Sequence, residues 1–509
     1  MYAQIATVAF HGVEAKPVNV QVMAAPGLPA FTIVGLADKA VGESRERVRA
    51  ALTAVGLGLP PKRITVNLAP ADLPKEGAHY DLPIALGLMA AFGAIPSDAL
   101  DDYVVFGELS LDGGVAATAG GLPAAIGATM LGRGLVCPAA CGAEAAWASS
   151  ELDILAPDHL LALINHLKGT STLPRPRPVM RPRAVAKGDL SDVKGQETAK
   201  RALEIAAAGG HHMLMTGPPG VGKSMLAERL PSILPEMEPN EALEVAMIQS
   251  MAGILASEGL SSVRPFRAPH HSASMAALVG GGLKPRPGEA ALAHNGVLFL
   301  DELPEFAPHA LDALRQPLES GQTVIARANH RIVYPSRLQL IAAMNPCRCG
   351  RADTPGASCK RGPRCAAEYE ARVSGPFLDR MDIRVDMSAM SAADLATPAA
   401  GEASSAVLAR VQAARARQAA RYEGRGLEGV RVNAACPAVL LDEELGRDHA
   451  ARAFFHDAVT TLGVTGRGYY RALRVARTIA DLDGSPFMRR IHLAEALTYR
   501  AEARSYAPA

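Results

Sequence analysis

The chain has 509 residues, a formal net charge of +1, 49% hydrophobic residues and only 4% aromatic residues. Near-neutrality excludes a global field for nucleic acid, so such contacts need local basic patches, and the scarcity of aromatics argues against binding mainly by base stacking. Seven cysteines, four of them clustered, suit a reducing cytoplasm with a metal site better than a disulfide framework. The longest apolar stretch, residues 82–95, is too short to span a bilayer and carries Pro83. No secretory pattern opens the chain. A cytoplasmic protein without a membrane partner is expected.

Residues 1–166 are rich in Gly, Ala and Val, and strand-like runs at residues 64–68 and 103–106 alternate with helical patterns. Phe106-Gly-Glu-Leu-Ser-Leu-Asp-Gly113 and Gly120-Gly121-Leu122 resemble the strand and helix-start motifs of the Lon-protease-like, ribosomal S5-type α+β fold. The dyad of that family needs a Ser nucleophile and a Lys base. The Ser-bearing motif reads here Lys75-Glu-Gly-Ala-His79, with His79 at the Ser position, and Pro123-Ala-Ala125 stands where the Lys belongs. No peptidase activity is expected, and the domain is left to ring assembly, DNA or a partner. Arg45, Arg47 and Arg49 lie in a helical segment where only Arg45 and Arg49 share a face.

Residues 167–188 form a linker in which Pro174, Pro176, Pro178 and Pro182 interleave with Arg175, Arg177, Arg181 and Arg183. Alternating Pro forbids helix and favours extended geometry. The linker reads as a solvated spacer, the alternative being a basic strap on a phosphate backbone.

An α/β pattern runs over residues 189–390. Within it Gly217, Pro218, Pro219, Gly220, Val221, Gly222, Lys223 and Ser224 match the phosphate-loop pattern G-x-x-x-x-G-K-[ST] at every fixed position. Glycines let successive N–H groups turn toward a phosphate, and the following helix aims its positive end at the same anion. Lys223 is expected on the β/γ-phosphates of ATP and Ser224 on Mg²⁺. The buried-strand run at residues 297–300 ends in Asp301-Glu302, a Walker-B arrangement. Asp301 is expected to bind Mg²⁺, and Glu302 to act as general base toward water.

Two insertions are basic. Residues 264–290 carry Arg264, Arg267, His270, His271, Lys284 and Arg286 around a Gly-rich turn. Residues 322–337 read as a hairpin with Arg327, His330 and Arg331 near its tip. Arg267, Lys284, Arg327, His330 and Arg331 are candidate contacts to a DNA backbone; the alternative is that these charges close subunit interfaces. Cys347, Cys349, Cys359 and Cys365 form C-x-C-x₉-C-x₅-C. Four thiolates suffice for a closed tetrahedral Zn²⁺ site, the alternative being four reduced cysteines on a loop. Residues 391–509 read as helical, with periodic segments at 406–422 and 470–482. The arginines of the first, Arg410, Arg415, Arg417 and Arg421, read as a solvated helix face.

The order of these motifs resembles that of AAA+ proteins. The likeness puts an adenine-cradling segment at residues 192–196, a sensor-1 polar residue at Asn345, an arginine finger at Arg380 and a sensor-2 arginine at Arg467. Phe31-Thr-Ile-Val-Gly-Leu-Ala37, Lys75-Glu-Gly-Ala-His-Tyr-Asp81, Phe266-Arg-Ala-Pro-His-His-Ser272 and Ser374-Gly-Pro-Phe-Leu-Asp-Arg380 are similar to the YifB/ComM family, the magnesium-chelatase-like AAA+ proteins, over essentially the whole length. The resemblance implies a P-loop ATPase core followed by a helical lid at residues 391–509. It also implies a homo-oligomeric ring, a hexamer, with ATP sites at subunit interfaces and insertions reaching a central pore. Within that family, ComM-type proteins are DNA helicases that promote branch migration during natural transformation, so single-stranded or branched DNA is the expected partner. The competing reading is a chelatase-type ATPase that remodels a protein. An ATP-dependent protease would need the missing dyad.

Overall fold

The structure, a computed structural model, describes every residue except Ala37, Glu428 and residues 182–187, 256–258, 283–285, 328–329, 351–358, 360–362, 390–400 and 501–509. The chain is mixed α/β and divides into two compact units. One comprises Met1–Arg183, Pro239–Ser261 and Val324–Tyr334; the other comprises Ala184–Glu238, Ser262–Thr323 and Pro335–Ala509.

The first unit is built on a seven-stranded sheet in the order Ala30–Val34, Arg63–Ala69, Glu14–Ala25, Tyr2–His11, Tyr103–Val105, Gly134–Val136, Ile154–Leu155. Alternation along Arg63–Ala69 buries Ile64, Val66 and Leu68, the pattern of a sheet with one face on the core. The longest apolar run forms the helix Asp81–Ala91, buried from Asp81 to Ala90. Such an all-apolar helix belongs in an interior. Pro83 sits in its first turn, where an N–H has no intrahelical acceptor. Asp81 is buried beneath Arg47, whose Nε and Nη2 donate to its two oxygens at 2.6 and 3.0 Å. Arg47 thus points inward, while Arg45 and Arg49 sit at the surface beside Glu46.

Residues 171–181 of the linker are largely exposed, but side-chain contacts tie them to the first unit. Extended proline-rich backbone makes no internal hydrogen bonds, so its groups look elsewhere. Arg175 donates to the carbonyls of Ser150 and Leu152, and the Trp147 indole donates to Val179 O.

The helix Pro239–Met251 belongs to this unit through Ser250. Ser250 O accepts from Gly120 N–H, and Ser250 Oγ accepts from Leu122 N–H, at the start of the helix Gly121–Met130. Glu144 closes the same corner, hydrogen-bonded to Gly121 N–H and Ser250 beside Cys141. Burial pushes its carboxyl up to about 7. A carboxyl with a raised folded pKa stabilises fully below its unfolded value and loses that contribution as pH rises through the folded one. Between about pH 4.5 and 7 this contribution falls by about 3 kcal/mol at most. Glu144→Gln should therefore match the wild-type melting temperature at pH 5 and exceed it at pH 8. Equal differences at both pH values would contradict the assignment.

The second unit holds a five-stranded parallel sheet in the order Phe266–Arg267, Val297–Leu300, Gln339–Met344, Met213–Thr216, Ile383–Asp386. Val297–Leu300 and Gln339–Met344 are buried throughout, as expected of parallel strands covered on both faces. Phe266–Arg267 corrects the reading of residues 264–290 as pure insertion, because its first residues are an edge strand of the core sheet.

The C-terminal region is helical, with Ser404–Glu423, Ala438–Leu445, His449–Thr461, Gly466–Leu482 and Arg490–Thr498. These helices share one hydrophobic core with the helix Glu197–Gly209 and the sheet. Of the arginines of Ser404–Glu423, Arg410 and Arg417 are exposed and Arg415 and Arg421 are partly buried, and all four make contacts. Arg410 pairs with Glu204 and Glu402, Arg415 donates to Ala207 O, Arg417 to Asp481 O, and Arg421 pairs with Asp481. Asp481 is fully buried and also accepts from Arg477 Nη2 at 2.7 Å and Asn433 Nδ2 at 2.8 Å. Removing one partner of a buried ion cluster leaves the other charges uncompensated. Asp481→Ala should lower the stability of this unit by about 3–5 kcal/mol. Urea unfolding measures it, and a loss below about 1 kcal/mol would contradict a buried, paired role.

Candidate functional site

The phosphate loop leaves the buried strand Met213–Thr216 and enters the helix Lys223–Ile233. Gly220 and Gly222 take φ of +82° and +93°, values that disfavour any residue with a Cβ. Gly217 is needed for space, since a Cβ there would lie 2.4 Å from Met387 O. Lys223 is largely buried and folds over its own loop, donating to Gly217 O at 2.7 Å, Pro218 O at 2.9 Å and Asn345 Oδ1 at 3.0 Å. Burial lowers its pKa, and Asp301 and Glu302 oppose that shift. Ser224 Oγ donates to Asp301 Oδ2 at 2.5 Å. A hydroxyl and a carboxylate this close are hard oxygen ligands that fit Mg²⁺.

Glu302 is exposed at the end of Val297–Leu300 and takes φ of +52°, a left-handed conformation that carries strain for a residue with a Cβ. Its N–H donates to Asp301 Oδ1 at 2.9 Å, and its Oε2 lies 3.3 Å from His271 Nδ1. Phosphate loop, Asp301, Glu302 and Asn345 thus form one cluster drawn from three neighbouring strands of the parallel sheet. His271 is the member that sequence reasoning missed. His270-His271 was visible as a motif, but no local pattern announces a partner across the sheet.

Arg380 and Arg467 stand elsewhere. Arg380 is buried, pairs with Glu319 and donates to Pro376 O at 2.5 Å. Burial lowers its pKa; Glu319 opposes this, and Arg315, Arg467 and Arg471 reinforce it. Arg467 is exposed at the start of the helix Gly466–Leu482. One turn on, Arg471 holds the segment that carries Arg380, donating to Arg380 O at 2.8 Å and Asp382 Oδ1 at 2.5 Å.

Among the candidate DNA contacts, Arg267 gives both arms of its fork to Glu289, at 2.6 and 2.8 Å. Arg331 is exposed on the strand His330–Pro335, which pairs with Gln322–Arg327. Lys284 and the side chains of Arg327 and His330 lie outside the described residues. The four cysteines come together. All four sulfurs lie within 4.8 Å of one another, with Cys347 and Cys349 at 3.1 Å and Cys349 and Cys359 at 3.4 Å.

Three magnesium-chelatase families match along the chain: "Magnesium chelatase, subunit ChlI" over residues 189–395, "Subunit ChlI of Mg-chelatase" over residues 20–141, and "Magnesium chelatase, subunit ChlI C-terminal" over residues 401–500. The protein YifB of Escherichia coli is 44% identical over 96% of this chain and 95% of its own. The competence protein ComM of Haemophilus influenzae is 44% identical over 97% of this chain and 96% of its own. The chain belongs to the YifB/ComM family of magnesium-chelatase-like AAA+ proteins. Lon protease 2 of Bacillus subtilis is 27% identical over 27% of this chain and 26% of its own, a partial likeness in keeping with the Lon-like motifs. Among the described residues of this YifB/ComM-family chain, no helix is long and apolar enough to cross a membrane.

Proposed function

We propose that this chain is an ATP-hydrolysing ring motor that acts on DNA, as a helicase promoting branch migration in recombination or natural transformation. The observation that carries the ATPase reading is the 2.5 Å contact of Ser224 with Asp301, beside Lys223 and Asn345. The N–H groups of residues 217–224 would cradle the phosphates, with Lys223 exchanging its loop carbonyls for phosphate oxygens. Bound Mg²⁺, held by Ser224 and Asp301, would neutralise charge on the β- and γ-phosphates. Asn345 would orient the attacking water and Glu302 would take its proton. Arg380 and Arg467 would stabilise transition-state charge, Arg380 from a neighbouring subunit of a hexamer. The four cysteines would hold one Zn²⁺.

Kinship with a competence protein supports the DNA half of the reading. So does the exposed Arg331, in the hairpin segment Val324–Tyr334 of the first unit. Phosphate contacts release counterions, so affinity falls with salt at a slope set by their number. Arg331→Ala should weaken DNA binding uniformly across sequences and flatten the salt slope by about one unit per chain engaged. Fluorescence anisotropy across a salt series measures it, and an unchanged slope would remove Arg331 from the interface. The chelatase descriptions of the matching families favour a second reading, a remodelling ATPase acting on a protein. Hydrolysis indifferent to DNA would select it.

A further inference from the structure

We infer that the four-cysteine cluster is a metal staple that holds the catalytic face of the nucleotide site, so that metal occupancy sets the rate of ATP hydrolysis. The inference rests on the ATPase reading and assigns the cluster a role within it.

Three contacts tie the sulfurs to that site. Asn345, which accepts from Lys223, lies two residues before Cys347, whose side chain is fully buried. Gly350 follows Cys349, takes φ of +73° and donates its N–H to Cys347 O at 3.0 Å. A Cβ at Gly350 would lie 2.7 Å from Pro219, so this turn rests directly on the phosphate loop. At the other end, Cys365 lies in the helix Pro363–Glu370. Just beyond it, Arg372 Nη1 donates to Glu305 Oε2 at 2.9 Å. Glu305 ends the short turn Leu303–Glu305 that follows Glu302. The cysteine segment is therefore linked to the Asn345 and Pro219 side of the site at one end and, through Arg372, to the turn that follows Glu302 at the other.

The chemistry fits a soft divalent cation. Zinc–sulfur bonds of about 2.3 Å put tetrahedral sulfurs about 3.8 Å apart. The four sulfurs, all within 4.8 Å, need only small shifts to reach that geometry. Among the described residues, Cys347, Cys365 and Ala366 form a cluster of their own with Cys359 against it. A metal bond to four sulfurs would tie the two ends of this segment together covalently. Asn345 and Glu302 must be held within a fraction of an ångström of productive geometry, so loosening should reach kcat before it reaches ATP affinity.

The test compares wild type, Cys349→Ser/Cys359→Ser and Cys349→His, assaying zinc by plasma mass spectrometry, Mg²⁺-dependent hydrolysis, and binding of a fluorescent ATP analogue. Wild type should carry about one zinc per chain. The double variant should carry none, lose about tenfold or more in kcat, and keep its nucleotide affinity. Cys349→His, which keeps a zinc ligand, should retain metal and most of the rate. Should the double variant misfold, wild type stripped with a mercurial and a chelator should slow and then recover on adding zinc under thiol. Zinc well below one per wild-type chain, or a metal-free protein hydrolysing at the wild-type rate, overturns the inference. Zinc-loaded wild type that hydrolyses no ATP removes the ATPase reading itself, and the staple's catalytic role with it.

Discussion

Replacing Glu302 by Gln is expected to lower ATP turnover about 10²–10⁴-fold while leaving ATP binding nearly unchanged. The substitution keeps the size and hydrogen-bonding reach of the side chain and removes only its basicity. The backbone argues that this carboxylate is placed for a purpose. Glu302 holds φ of +52° at a strand end, a conformation that persists only where the surroundings enforce it, here through its N–H on Asp301. His271 Nδ1 lies 3.3 Å from the same carboxylate. Steady-state hydrolysis and nucleotide affinity measured side by side separate the outcomes. A large fall in kcat with intact binding fits a general base, whereas a loss of less than about tenfold would move that role to another group.

The second large effect concerns Arg380. Arginine fingers contribute about 10³–10⁵ in kcat, so Arg380→Ala should nearly abolish hydrolysis without weakening ATP binding. In the single chain this guanidinium is buried against Glu319 and Pro376 O, and Arg471 grips the same segment through Arg380 O and Asp382. A finger held in this way must leave Glu319 to serve a neighbouring subunit. Mixing experiments test the arrangement. Arg380→Ala subunits keep Glu302, and Glu302→Gln subunits keep Arg380, so mixed rings should contain complete sites and hydrolyse ATP faster than either variant alone. Mixtures no more active than their components would contradict a finger acting between subunits.

The parts legible in the sequence are those written in short contiguous patterns. Residues 217–224 carry their chemistry in eight consecutive positions, and the buried run 297–300 ends in Asp301-Glu302 as a parallel strand should. The arginines of Ser404–Glu423 were not legible, because Glu204 and Asp481, which pair with Arg410 and Arg421, stand far away in the chain. Period and charge alone describe that helix face equally well as solvated. The edge strand Phe266–Arg267 is two residues long between Pro265 and Pro269, so no alternation could reveal it. The helix Pro239–Met251 lies in sequence between the two Walker motifs, yet Ser250 binds it to the helix Gly121–Met130. Composition carries no trace of that docking. The pairing of His271 with Glu302 and of Arg380 with Glu319 is likewise tertiary information.

ATP hydrolysis by the purified full chain tests the central claim most directly, measured without DNA and with single-stranded, forked and four-way-junction DNA, beside Glu302→Gln. The account predicts strong stimulation by single-stranded or branched DNA, abolished in the variant. Hydrolysis that depends on Glu302 but ignores every DNA would contradict the DNA motor and leave a protein-remodelling ATPase.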